Sequence, residues 1–256
     1  MNPYRQPLLL ALTSFFFSCN SDGDQVICRP VTVKFPAYTE TYVYDESNRI
    51  GSILYDVPDA GIRTGELEYN EKGKLVRLLL FDFNSPPTWY LKCELIYDKK
   101  GNLQKSYWVQ NPPTGAADTT FFYHDENQRL VKIQGNGDGK RYEYDGNGNV
   151  IKIFRIFESE EILYTENISY DNKLKYDGNV PELETLNVYM NGYLPGLNNL
   201  VTATIHDDFP GYPKVNPQDV AYTLDYNEDG LITSCLPHNI ILYDVSHFEQ
   251  ITYSCE

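Results

Sequence analysis

Apolar and polar residues alternate along much of this chain with a period of two. Val220, Tyr222, Leu224 and Tyr226 fall on one side of such a stretch and Ala221, Thr223 and Asp225 on the other, the pattern of a half-buried β-strand. The alternating runs end in a seven-residue cadence: an aromatic, Asp or Asn, two polar residues, usually Gly, a free position, then an aliphatic. It reads Tyr44-Asp45-Glu46-Ser47-Asn48-Arg49-Ile50, and recurs from Tyr69 to Leu75, Tyr97 to Leu103, Tyr144 to Val150 and Tyr226 to Ile232. A degenerate copy runs from His124 to Leu130, and Tyr170-Asp171 is a partial one. The middle of the cadence predicts a hairpin tip. Asp and Asn bond their own backbone two residues on, and Gly takes the positive φ of a tight connection.

From Tyr44 to Tyr170 successive copies start 20 to 28 residues apart, room for two strands and two turns but not for a crossover helix. The reading is an all-β, antiparallel up-and-down meander of roughly 12 to 15 strands, curled into a barrel, a half-barrel or two packed layers because so many strands do not stay flat. The cadence tips would share one end. The opposite end carries Pro- and Gly-bearing connections such as Val57-Pro58-Asp59-Ala60-Gly61 and Asn111-Pro112-Pro113-Thr114-Gly115, and a loop function is expected there. The segment 177–220 breaks the cadence and reads as an irregular insertion, a cap or lid before the last strands, with Met190 to Leu197 as a possible plug.

The cadence tyrosines should line up at one rim as a cross-strand ladder. They close the core there or, alternatively, offer a stacking platform to sugars or peptides. Trp89 and Trp108, beside the Pro-rich connections, and Tyr193 in the cadence-free segment are the candidate ligand-binding aromatics.

Tyrosine accounts for 22 of 256 residues, a β-sheet composition. A net charge of −15 and a pI near 4.6 argue against nucleic acid, which requires clustered Lys and Arg. A membrane-spanning barrel is also disfavoured. Such barrels need an outward apolar band, whereas the strand faces here carry Lys92, Glu94, Lys132, Glu143, Lys152 and Arg155, and mean hydropathy is −0.46.

Residues 1–18 combine Arg5 with an apolar run from Leu8 to Phe17, too short for a spanning helix and suited to a signal-peptide core. The expected organisation is a signal peptide over 1–18, a flexible tether over 19–30 and a single β-meander domain over 31–256. Ser18-Cys19 resembles a bacterial lipoprotein signal, which implies lipidation of Cys19, a membrane partner through that lipid and an outer-membrane location on the periplasmic face or the cell surface. Ordinary secretory cleavage is the alternative. Cys28, Cys93, Cys235 and Cys255 then remain, with three possible pairings. Cys235 with Cys255 looks natural only if 237–248 is a loop.

Asp145-Gly146-Asn147-Gly148-Asn149 opens like a calcium loop, but Val150 and Ile156 occupy positions where an EF-hand needs Gly and Glu. No metal and no cofactor are expected. His206-Asp207-Asp208 would not converge on a strand, and neither HExxH, GxSxG nor a Walker loop occurs. No catalytic residue is assigned and no enzymatic activity is expected.

The Tyr-Asp-x-x-Gly-x-Leu hairpins resemble the YD repeats of RHS-type proteins. The chain beyond residue 38 resembles, more closely, a group of gut Bacteroidota lipoproteins of unknown function with a porin-like β fold. That likeness rests on Asn198-Asn199-Leu200-Val201, on Leu224 to Gly230 and on Ile251-Thr252-Tyr253-Ser254-Cys255. Asp225 and Leu231-Ile232 depart from its pattern. The resemblance implies an exported, lipid-anchored, non-catalytic envelope or cell-surface protein with a binding or structural role. A glycan-binding accessory lipoprotein is the alternative, a periplasmic hydrolase a distant one, and the ligand is a glycan or a protein.

Overall fold

A computed structural model of the chain describes residues 27–58, 61–81, 89–111, 117–175, 180–190, 195, 198–206, 216–238 and 248–255. Cys19, Tyr193, the leader and most of the expected plug lie outside them. The described residues form one antiparallel sheet of 16 strands. Its first strands are β1 (Cys28–Lys34), β2 (Thr39–Tyr44), β3 (Ile50–Val57), β4 (Gly61–Tyr69), β5 (Leu75–Phe81) and β6 (Trp89–Tyr97). They are followed by β7 (Leu103–Gln110), β8 (Asp118–His124), β9 (Leu130–Gln134), β10 (Asp138–Tyr144) and β11 (Val150–Phe157). The rest are β12 (Glu160–Leu174), β13 (Asn198–Ile205), β14 (Gln218–Tyr226), β15 (Ile232–Pro237) and β16 (Gln250–Cys255).

Each strand from β1 to β15 pairs with its sequence neighbours, and β16 returns to pair with β1. The sheet is thus a meander curled into a nearly closed barrel. Its seam runs between β15 and β16, which share no continuous ladder. A single bridge between Cys235 and Phe248 and a hydrogen bond from the Tyr253 hydroxyl to the Ile232 carbonyl, 2.8 Å, cross it.

The hairpin tips follow from their sequence. In the first tip the Asp45 carboxylate accepts the backbone amides of Ser47 and Arg49 at 2.8 and 2.9 Å. Asn70, Asp98, Asp125 and Asp145 each accept the amides two and four residues on in the same way. These donated amides hold the Asp45, Asp98 and Asp145 carboxyls below the usual carboxylate range. The Asp145 carboxylate is therefore committed to the turn. The fifth position is left-handed in every tip: Gly73, Gly101, Gly148 and Gly230 there have φ between 74° and 90°, and Asn48 and Gln128 adopt it at 60° and 65°.

A β-bulge follows each tip. Tyr69 pairs with Leu75 but Glu68 with Arg77, so Val76 is skipped. Gly51, Gln104, Val131, Ile151 and Thr233 are skipped identically. A skipped residue shifts the side-chain phase by one, so the cadence aliphatic and the residue three later both face inward. Ile50 with Ile53, Leu75 with Leu78 and Val150 with Ile153 are all buried through this device.

The cadence-free segment is described in part. Residues 198–205 complete the sheet as β13, and residues 181–190 form a short helix, α1 (Pro181–Glu184), that widens into a π-helical turn over Thr185–Met190. Leu183 and Leu186 of this segment join the barrel core. Tyr170-Asp171 forms no tip either, because β12 runs on through it. Asp171 keeps the capping role by accepting the amides of Lys173 and Asn199, and Asn199 also donates its side-chain amide to the Tyr226 hydroxyl.

The disulfide joins Cys28 to Cys255, residues in direct register on β1 and β16. The Cys235–Cys255 pair does not form, since Cys235 lies across the unladdered seam. Strand β1 accordingly begins at Cys28, inside the stretch read as tether. Cys93 and Cys235 are buried thiols, each pushed up to about 12 by burial.

Candidate functional site

The tyrosine ladder is structural. Tyr69, Tyr97 and Tyr144 each donate a hydroxyl hydrogen bond, 2.5–2.7 Å long, to the carbonyl of the aliphatic that closes the preceding cadence: Ile50, Leu75 and Leu130. Tyr44 bonds the Pro30 carbonyl in the same manner. The sixth, free position of one cadence then covers the next ring. Arg49 lies over Tyr69 at 4.5 Å, Lys74 over Tyr97 at 5.0 Å and Arg129 over Tyr144 at 4.8 Å. Rings covered by cations on one side and packed against the core on the other offer no open stacking platform.

The opposite end of the barrel holds a cavity of about 290 Å³. Successive strands supply its wall where they meet the variable connections: Glu40 from β2, Tyr55 from β3, Arg63 from β4, Leu80 from β5, Tyr90 from β6 and Trp108 from β7. Tyr38, in the turn between β1 and β2, closes one side. Its ring stacks on Phe35 at 4.7 Å and tilts against Tyr55 at 6.4 Å. The helical segment closes another side with Leu183, Leu186 and Asn187. Its π-helical turn is an uncommon geometry that recurs at functional sites.

Glu40 is the unusual member. It alternates inward with Tyr42 and Tyr44 on β2 and is only 7 % exposed. Burial raises its carboxyl from 4.5 to about 7, against the hydroxyls of Tyr42 and Tyr38 that hydrogen-bond to it. The Tyr42 bond is 2.5 Å. Arg63 is exposed at the mouth, its guanidinium 5.6 Å from the Tyr90 ring centroid. Gly65, the inward residue next along β4, lets the wall close. A Cβ there would meet Leu78, Leu80 and Tyr55 at 3.2–3.3 Å.

Of the aromatics singled out from sequence, Trp108 lines this cavity. Trp89 precedes Tyr90, which takes the inward position; Trp89 instead carries the Lys92 ammonium 5.6 Å from its ring. His206 pairs with Glu166 at 3.0 Å, far along the sheet from Glu40. Among the described residues no cluster of three or more His, Cys, Asp or Glu could hold a metal. Sequence reasoning passed over Glu40, Tyr55, Arg63 and Tyr90. The available signal was Glu40 itself, a carboxylate in phase with Tyr42 and Tyr44 on the apolar side of Thr39-Glu40-Thr41-Tyr42-Val43-Tyr44.

No protein-family model and no curated protein matches the chain. Among solved structures, a TcdB2–TccC3 complex with Cdc42 is similar with a TM-score of 0.35 and 19 % identity, over 78 % of this chain and 9 % of that one. The Photorhabdus luminescens Tc holotoxin pore gives 0.26 and 16 % over 78 % and 11 %. Neither likeness is strong enough to define a shared fold. A porin-like protein from Bacteroides uniformis is similar with a TM-score of 0.50 and 13 % identity, over 90 % of this chain and 95 % of that one. The chain therefore shares its overall fold with a porin-like protein from Bacteroides over 90 % of its length.

Proposed function

We propose that this is an exported, lipid-anchored envelope protein of the Bacteroidota type, with YD-like hairpins, a non-catalytic binding role and a small ligand seated in the cavity at the connection end. The observation that carries the binding role is that cavity: Tyr38, Tyr55, Tyr90 and Trp108 line it together with a buried carboxyl. Concave, mostly apolar sites with a few placed polar groups are the usual form of a ligand site. A volume at the low end of the usual range limits the ligand to a small molecule. Among the described residues the lining holds one carboxyl and no histidine, which supports binding over hydrolysis.

Export is supported by the Cys28–Cys255 disulfide, a bond favoured in oxidising compartments, and by the signal-like run ending at Ser18-Cys19. The neighbour in fold from Bacteroides supports an envelope setting. The outer face carries linked charges, Arg77 with Glu68 and Glu94, and Arg141 with Glu143 and Glu161. Such a face favours water over hydrocarbon, so the lipid on Cys19 would be the membrane attachment.

A glycan is the second reading of the ligand, favoured by Trp108 as a stacking aromatic beside Asn187 and Arg63. Because the chain has two tryptophans, Trp89→Phe leaves Trp108 as sole reporter of the cavity. Saturable changes in its fluorescence with small ligands, lost in a Tyr90→Ala, Tyr55→Ala variant that stays folded, are expected. A silent Trp108 across amine, alcohol, acid and sugar libraries defeats the binding role. Detergent-phase partition and intact mass of the full-length protein beside Cys19→Ala test the anchor, with a lipid increment expected only in the wild type.

A further inference from the structure

The charged groups of the cavity are unevenly placed. Aromatic faces are electron-rich and attract cations, and four aromatic residues, Tyr38, Tyr55, Tyr90 and Trp108, line the site. At its depth lies one acid, Glu40, with little access to water. The wall shows its preference in Arg63, whose guanidinium settles over Tyr90. This side chain is solvent-exposed at the mouth, so its own charge is screened, whereas the charge of Glu40 is not. Outside, the chain's net charge of −15 concentrates cations near its openings. An anionic ligand would lie beside a buried carboxylate. A neutral one would gain nothing from that charge and would leave Glu40 to hold its proton.

We propose that the cavity binds a small organic cation, an ammonium head on an aromatic or other apolar body, with the head against the Glu40 carboxylate and the body between the rings of Tyr55, Tyr90 and Trp108. This rests on the binding role proposed for the same cavity and names its ligand class.

The proposal has a proton linkage. The titratable groups facing Glu40 among the described residues are Tyr42 on its own strand, Tyr38 in the preceding turn, Tyr55 on β3, Arg63 on β4 and Tyr90 on β6; the helical segment contributes the uncharged Asn187. Near neutrality part of the population holds a proton on Glu40. An arriving ammonium favours the carboxylate and expels that proton. Affinity therefore rises with pH through about 7 and falls again only where the amine itself deprotonates, at about pH 10 for an alkylamine.

Isothermal titration of the full chain with three near-isosteric probes tests this: 2-phenylethylamine, 2-phenylethanol and 3-phenylpropanoate. At pH 8 the amine is expected to bind at least about tenfold tighter than the other two. Its affinity should fall by about tenfold or more at pH 5, and the binding heat at pH 7 should vary with the ionisation heat of the buffer. Glu40→Gln, which keeps the side-chain shape, should remove both the pH dependence and the preference for the amine, while circular dichroism and Trp108 fluorescence report an intact fold. Binding of the alcohol or the propanoate as tightly as the amine overturns the cation assignment and leaves the binding role standing. So does a Glu40→Gln variant that keeps the preference. Absence of amine binding also overturns it, and the binding role falls with it only if Trp108 is silent to the wider libraries as well.

Discussion

Burying the Glu40 carboxyl costs stability in a way that pH exposes. Its pKa is raised in the folded chain from 4.5 to about 7 by burial, so between those values the native state binds more protons than the unfolded state. Stability from this group is therefore greatest below about pH 4.5 and is lost as pH rises to about 7. The shift corresponds to about 3 kcal/mol. Glu40→Gln is expected to raise stability at pH 8 by about 2–3 kcal/mol relative to wild type and to remove the difference near pH 4.5, read by urea unfolding at both pH values. The comparison cancels the tip aspartates, whose depressed pKa values act in the opposite sense and at lower pH. A residue that destabilises the barrel while facing a cavity is a common sign of function in place of packing. Gln128 gives a purely conformational counterpart. It holds φ 65° where four other tips place Gly, and a left-handed non-glycine residue costs about 1–2 kcal/mol, partly offset by the entropy that Gly loses on folding. Gln128→Gly should raise the thermal midpoint by an amount equivalent to about 0.5–1 kcal/mol.

At the scale of the hairpin, the tyrosine and the tip form one device. The hydroxyl of each ring ties its strand to the carbonyl that ends the previous tip, so neighbouring hairpins are joined by side chain as well as by ladder. Later copies depart from this bond. Tyr226 gives its hydroxyl to the Asp171 carboxylate, and Tyr170 has a buried hydroxyl with no hydrogen-bond partner among the described residues. Tyr69→Phe is expected to cost about 1 kcal/mol, the usual net worth of such a bond. Tyr170→Phe should be neutral or stabilising, because it deletes an unsatisfied buried group; chemical denaturation of the two variants reads the contrast. The strands, tips and shared end of the tips were legible in the sequence because Tyr, Asp and Gly each act within their own turn. The bulges were not. The skipped residues are Gly51, Val76, Gln104, Val131, Ile151 and Thr233, with no common chemistry, and the inward pairing of residues three apart defies a period of two. The cavity was hidden for another reason: six strands and a helical segment more than seventy residues beyond the last of them, by the numbering of Trp108 and Leu183, converge on it, and only Trp108 had a local cue.

At the scale of the whole molecule, barrel closure rests on few contacts. Fifteen consecutive strands are laddered in order, but the ends of the meander meet through β16, which is held to β1 by its ladder and the Cys28–Cys255 disulfide, whereas no continuous ladder among the described residues joins it to β15, where the Cys235–Phe248 bridge and the Tyr253 hydroxyl cross. The last of these repeats the ladder's own bond, since Ile232 closes the final cadence just as Ile50 and Leu75 close earlier ones. The cross-link spans 227 residues, so it restricts nearly the whole unfolded chain, and closures of that length are worth about 3–5 kcal/mol. Its loss should not be felt evenly. With Cys28→Ser and Cys255→Ser, β16 and β1 keep their backbone ladder but lose the tie that fixes its register at the terminal pair. The seam is then the least protected line in the sheet. Hydrogen exchange of the double variant should show early loss of protection in β1, β15 and β16, with β3 to β7 and the cavity they line still protected, alongside a drop of about 3–5 kcal/mol in global stability. Uniform loss across all strands would mean instead that the barrel opens only as a single cooperative unit, and that the seam is no weaker than the laddered strand pairs.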